Sequence, residues 1–161
     1  MEIRDATAAD WPAIWPIVQA VCRAGETYTY PRDLDEAFAR ALWMMEPPGV
    51  TLVAVEDDHV LGTAKTGPNQ MGPGSHVATA SFMVAEGARG RGVGRALGEA
   101  VLDRARTAGY RAMQFNAVVA TNHAALRLWQ ALGFEIVGAV PEAFDHPAAG
   151  PVGLHIMHRR L

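Results

Sequence analysis

The chain has 161 residues, half of them apolar and 19% charged, which supports a buried core and excludes a disordered or fibrous chain. Its formal net charge is −3 with mixed signs, so it lacks the basic surface that a nucleic-acid partner would require. No apolar run approaches the ~20 residues that span a bilayer, which excludes a helical membrane span, and Met1–Asp5 carries no apolar signal region. The sequence therefore reads as one domain over residues 1–161, cytoplasmic, with no membrane partner. Its one cysteine, Cys22, sits among Val18, Ala20 and Val21 and reads as a buried structural thiol.

Residues 2–6 read as a short strand. Asp10 is placed to cap a helix whose first turn holds Pro12. Ile14, Ile17, Val18 and Val21 then recur at helical spacing up to Arg23. Gly25 to Pro31 is a loop bearing Glu26, Tyr28 and Tyr30. Asp33 is expected to cap a second helix through Trp43, stopped by Pro47-Pro48. Val50–Val55 and Val60–Lys65 flank an Asp57-Asp58 turn, as in a hairpin. After a Gly- and Pro-rich loop over 67–74, residues 76–84 read as a central strand. Residues 92–108 form an amphipathic helix stopped by Gly109. Residues 112–119 read as a strand, and Thr121 or Asn122 caps a short helix ended by Gly133. Phe134–Val140 and Val152–Arg159 are final strands. The strand-helix-strand-helix unit implies a parallel pair within a mixed α/β sheet of about seven strands flanked by about four helices.

The segment Arg89-Gly90-Arg91-Gly92-Val93-Gly94-Arg95 lies between a buried strand and a helix. A helix N-terminus offers unpaired N–H groups and partial positive charge, glycines allow close backbone approach, and arginines add charge-assisted donors. That combination suits a phosphate. The nucleotide P-loop is excluded because Gly94 is followed by Arg95-Ala96 rather than Lys-Ser/Thr. The dinucleotide fingerprint is excluded because the sixth position is Arg95 counted from Gly90 and Leu97 counted from Gly92. The remaining pattern, Arg-x-x-Gly-x-Gly, resembles the pyrophosphate loop of the GNAT (GCN5-related N-acetyltransferase) superfamily. A second segment, Asn122-His123-Ala124-Ala125-Leu126-Arg127-Leu128-Trp129 through Gly133-Phe134, resembles the same superfamily's Asn-x-x-Ala-x-x-Leu-Tyr-x-x-x-Gly-Phe motif. The two motifs cover the second half of the chain.

The resemblance implies a GNAT fold and acetyl-CoA as co-substrate, with no metal. It implies that Met83 and Val84 bond the pantetheine arm, that residues Arg89, Gly90, Arg91, Gly92, Val93, Gly94 and Arg95 hold the pyrophosphate, and that Asn122 contacts the arm, caps its helix, or does both. Where the family often has a tyrosine acid, this chain has Trp129, whose indole N–H is not an acid of suitable pKa. For the base that deprotonates the amine, Glu26 stands first, with His76, His146 and His155 as alternatives.

For the acceptor, Phe115-Asn116-Ala117-Val118-Val119-Ala120-Thr121-Asn122 resembles the branch containing azetidine-2-carboxylate N-acetyltransferase. That likeness implies that Asn116 lies beside the acetyl group in the acceptor site. A polar amide inside an apolar strand also needs a partner or ligand on physical grounds. Thr79 stands where that branch carries an asparagine near the acceptor carboxylate. The loop with Glu26, Tyr28, Tyr30 and Pro31 is similar to that of the phosphinothricin and methionine-sulfoximine acetyltransferases, which implies a small amine with a carboxylate and a homodimer. Tyr28, Tyr30 and Phe144 are then expected to line the acceptor wall, with Arg111 or a loop residue pairing the carboxylate. Two rival readings stay open: a protein or peptide acetyltransferase, and a non-catalytic acetyl-CoA sensor.

Overall fold

The computed structural model describes residues 1–161. Its strands are β1 (Glu2–Asp5), β2 (Val50–Glu56), β3 (His59–Pro68), β4 (Val77–Val84), β5 (Ala112–Val119), β6 (Glu135–His146) and β7 (Gly150–Arg160). Its helices are α1 (Trp11–Ala24), α2 (Glu36–Trp43), α3 (Val93–Thr107) and α4 (His123–Ala131). The strands form one sheet in the order β1-β2-β3-β4-β5-β7-β6. All neighbours are antiparallel except β4 and β5. The expected mixed sheet with one parallel pair is thus present.

Two apolar clusters sandwich the sheet. One packs α3 and α4 against it, with Leu97, Val101, Met113, Phe115, Trp129 and Met157 buried. The other packs α1 and α2 on the opposite face, with Ile14, Val18, Trp43, Val53 and Met83 buried. Cys22 lies in this second cluster at 1% exposure, so the structural reading of its thiol holds, and burial pushes its pKa up.

Three expected boundaries are corrected. Asp35, not Asp33, caps α2, its carboxylate accepting from the Phe38 N–H at 3.1 Å. Asp10 precedes α1 but does not cap it with its side chain. Its carboxylate instead accepts from Arg4 at 2.9 and 2.7 Å and from the Thr7 N–H at 2.7 Å, because an arginine fork competes better for a carboxylate than a single helix amide does. The last two strands also run farther than their alternation indicated, and meet at a turn over 147–149.

The feature that positions the site is a short pairing. β4 and β5 are eight residues each, yet they pair only at Val77–Ala112 and Ala78–Met113. Beyond those two positions they part. A bulge in β5 between Phe115 and Val118, on the side of β7, accompanies the divergence. An open strand edge inside a sheet leaves backbone donors and acceptors free for something else.

Candidate functional site

The gap between β4 and β5 is a cleft of about 830 Å³. The loop joining β4 to α3 closes one end, α4 forms part of the floor, and the α1–α2 loop closes the other end. Most of the residues singled out by sequence line it: Glu26, Tyr28, Tyr30, Thr79, Met83, Val84, Arg89, Gly90, Gly92, Val93, Gly94, Arg95, Asn116 and Asn122. Arg91 and Phe144 do not. Arg91 turns outward to form an ion pair with Glu56. Phe144 is 8% exposed, with its ring centroid 6.4 Å from that of His146, and it is His146 that reaches the cleft.

At the α3 end, the geometry is that of an anion cradle. Gly90 and Gly92 have φ of 77° and 82°, a region where a side chain costs about 1–2 kcal/mol. This folds the loop so that several peptide N–H groups have no acceptor within the protein. Those of Gly90, Gly92, Val93, Gly94 and Arg95 are unpaired, and the first loop-to-helix bond is Ala96 N–H to Gly92 C=O at 3.0 Å. The N-terminal end of α3 adds its partial positive charge. Arg89 forms no ion pair, while Arg95 is only loosely engaged by Glu99 at 3.5 Å. An oxyanion group fits this arrangement without displacing any internal bond.

Two further glycines set the distance between α3 and α4. A Cβ at Gly94 would stand 3.3 Å from Leu128 Cδ2. One at Gly98 would stand 2.7 Å from Leu132 Cδ1 and 3.2 Å from Trp129 Cζ3. Gly98 was not singled out by the sequence reading, although its glycine on the buried face of an amphipathic helix was the available signal. Trp129 fills the space so gained. It is 7% exposed, with ring centroids 4.6 Å from Phe82 and 5.0 Å from Phe115, so it packs the cleft floor.

Along β4, the alternation of an antiparallel ladder decides which peptide groups face the cleft. Val77 C=O and Ala85 N–H both bond on the β3 side, to Asn69 and Leu61. Phe82 faces the other way, since its N–H donates to the Tyr28 hydroxyl and its C=O accepts from it, each at 2.8 Å. The cleft-facing groups are therefore those of Ala80, Phe82 and Val84. Met83 points its peptide at β3, across from Thr63, and its side chain is 2% exposed in the α1–α2 cluster. Of the pair expected to bond an extended ligand, the ladder favours Val84 over Met83. Asn122 does cap α4, accepting from the Ala125 N–H at 3.2 Å, and its amide N–H donors stay free toward the cleft it lines.

The other end is built of side chains from distant segments. Tyr28 and Tyr30 stack at 5.4 Å, and Tyr28 meets the Trp43 ring edge-on at 6.4 Å. Burial raises the pKa of both hydroxyls, so they remain protonated donors. Glu26 is exposed and has no ion-pair partner. Asn116 is exposed rather than embedded in the strand core. The β5 bulge turns it out, where its amide donates to Asn69 Oδ1 at 2.6 Å and accepts from Gln114 at 2.8 Å.

The histidine alternatives for a base fare poorly. His146 Nδ1 accepts from the N–H groups of both Ala148 and Ala149 at 3.2 Å. Its neutral ring therefore carries the proton on Nε2, which donates and cannot accept. His76 is exposed, bonds Pro73 C=O at 3.0 Å and lies off the cleft. His155 also lies off the cleft, with a buried Nδ1 that has no partner. Arg111 is exposed and equally remote from it.

The model of the acetyltransferase (GNAT) family matches residues 9–134. A GCN5-related N-acetyltransferase from Kribbella flavida is 57% identical, with 99% of this chain aligned to 97% of that one at a TM-score of 0.97. The protein yncA of Salmonella typhimurium, solved with its cofactor acetyl-CoA, is 27% identical and aligns with 100% of this chain and 94% of its own at a TM-score of 0.86. Among curated proteins, N-acetyltransferase aca1 of Schizosaccharomyces pombe is 37% identical over 84 residues, 52% of this chain and 40% of the relative. The chain thus matches less than half the length of that curated relative.

Proposed function

The chain belongs to the acetyltransferase (GNAT) family, and on that footing we propose that it moves the acetyl group of acetyl-CoA directly to the amine of a small, amino-acid-like molecule in a ternary complex. The single observation that carries the donor half is the set of acceptor-less N–H groups at Gly90, Gly92, Val93, Gly94 and Arg95. They match the chemistry of a pyrophosphate, and Arg89 supplies a free charge beside them. From there the free groups of Val84 and the Asn122 amide offer bonds to an extended amide-bearing arm.

The acceptor enters from the Glu26, Tyr30 and Asn116 end. An amine binds mostly as an ammonium and must lose a proton before it attacks. Glu26, exposed and without an ion-pair partner, takes that proton through water. The nitrogen lone pair then forms the N–C bond to the thioester carbonyl as the C–S bond breaks, and the sulfur leaves as thiolate. Trp129 has no acidic proton to give, so the second proton, which the nitrogen sheds as it becomes an amide, passes through water to the thiolate. Orienting both reactants supplies much of the acceleration. The stacked tyrosines and His146 wall the acceptor end, which favours a compact acceptor over a chain lying in an open groove.

The test is to incubate the protein with acetyl-CoA and a panel of amino acids, polyamines, antibiotics and peptides while following thiol release. Turnover on small amines with α-carboxylates is the expected result. Turnover confined to peptides overturns the acceptor reading, and coenzyme binding with no turnover on any amine overturns the enzymatic one.

A further inference from the structure

Lys65 is the one charged residue among the seven inner positions 62–68 of β3, and its surroundings are unusual for a lysine. Its Nζ donates to the Leu42 carbonyl in the last turn of α2 at 2.7 Å. It lies 5.9 Å from the centroid of Tyr30 and 5.4 Å from that of Trp43. It forms no ion pair with any carboxylate. An ammonium carries three donors, so two remain uncommitted. A cation removed from water without a counter-ion is costly, and burial indeed holds this ammonium below its ordinary pKa. The two aromatic faces offset part of that cost.

The uncommitted donors have somewhere to point. Lys65 lines a small cavity of about 70 Å³ together with Thr66, Thr79, Ala80 and Ser81. Thr79, Ala80 and Ser81 are also wall residues of the main cleft, so the two spaces share one stretch of β4. Ser81 is the direct cross-strand partner of Lys65. The cavity thus adjoins the acceptor end, is the size of a small polar group, and ends on a positive charge that no carboxylate of the chain pairs.

We propose that Lys65 is the anion anchor of the acceptor site: the carboxylate of the acceptor enters the side cavity beside Thr79 and Ser81 and pairs with Nζ. This rests on the small-acceptor reading above and narrows it to amines bearing an acidic group. The anchor also accounts for the lack of a cleft arginine, since Arg111 lies elsewhere and Arg89 and Arg95 belong to the opposite end. A purely structural lysine, holding the end of α2, would make a different prediction: its loss would weaken all acceptors alike.

Steady-state kinetics on matched pairs, each L-amino acid beside its primary amide, separates the two. The wild-type protein is expected to prefer the free acid. Lys65→Met should erase that preference, raising KM for the acid roughly ten- to hundredfold, the worth of a hydrogen bond to a charged group, while KM for the amide and for acetyl-CoA stays within about twofold. Lys65→Arg should keep part of it. A folded Lys65→Met that retains the wild-type preference overturns the anchor and leaves the small-amine reading standing. A wild-type enzyme that acetylates small amines without regard to the carboxylate does the same. Turnover on peptides alone overturns both. Should Lys65→Met fail to fold, the titration of Lys65 Cε by carbon NMR in the wild-type protein decides: saturating acid should raise its midpoint and the amide should not, and an unmoved midpoint overturns the anchor.

Discussion

The end of the cleft that runs from β4 into α3 presents backbone, whereas the end formed by the α1–α2 loop and the β6–β7 turn presents side chains. At the first, the unpaired N–H groups of Gly90, Gly92, Val93, Gly94 and Arg95 face outward because two glycines hold left-handed φ. At the second, Tyr28, Tyr30, Lys65, Asn116 and His146 come from four separate stretches of chain and meet only in the folded protein. A backbone site tolerates few sequences, because the glycines cannot be exchanged. A side-chain site can be rebuilt residue by residue on the same frame. A constant donor and a variable acceptor are what such a division permits.

The sharpest way to break the contrast is Gly92→Asp. It combines a strained φ with a carboxylate facing the proposed pyrophosphate, and coenzyme A affinity measured by calorimetric titration should fall on the order of a hundredfold or more. Gly92→Ala should cost about 1–2 kcal/mol of stability from the backbone alone and weaken the coenzyme less. Unchanged affinity in folded Gly92→Asp sinks the cradle. On the acceptor side, Glu26→Gln should lower kcat by about a hundredfold, as loss of a general base does, with KM for acetyl-CoA unmoved. A kcat within about twofold of the wild-type value in folded Glu26→Gln assigns the base elsewhere. Smaller in effect is Gly98→Val, which forces a side chain against Leu132 and Trp129. It should lower stability by about 2 kcal/mol and Tm by several degrees in a thermal scan.

The least effect is expected far from both ends. The Arg4 guanidinium holds the Asp10 carboxyl well below the usual carboxylate range. A carboxyl whose pKa is depressed by folding contributes stability above its unfolded value, about 3.9, and loses it as pH falls toward the folded one. Arg4→Ala should therefore cost about 1 kcal/mol near neutral pH, and denaturant titrations of the two proteins should begin to converge below about pH 4 and meet only as pH approaches the depressed folded value. A difference that persists in acid means that the pair is not its source.

How much of this was legible follows the same division. The order of strands and helices, the parallel pair and the cradle could be read because period, turn glycines and helix starts are local properties of sequence. What failed was decided by distance in the chain. Arg91 sits inside the loop motif, yet Glu56, 35 residues away, draws it outward. Phe144 looked like a wall residue, but it is packed away at 8% exposure, and His146 at the very end of β6 is the one that reaches the cleft. Asn116 reads as a polar amide in an apolar strand that needs a partner or a ligand, and nothing in its neighbours marks the β5 bulge that leaves it exposed at the cleft. Lys65 gave no signal at all, since Leu42, Tyr30, Trp43 and Ser81 surround it only after the sheet and both N-terminal helices are assembled.

The brevity of the β4–β5 pairing has a thermodynamic side. The sheet is fastened across its middle at two positions, so β1–β4 with α1–α3 and β5–β7 with α4 are two leaves joined near one end. A ligand lying between the leaves acts as a missing strand and ties them along their length. Each tenfold increase in its concentration above Kd should add about 1.4 kcal/mol to the free energy of unfolding. Melting temperature against coenzyme concentration thus becomes an assay that requires no acceptor. Hydrogen exchange should slow first at Ala80 and Val84, the cleft-facing amides that the fold itself leaves unzipped.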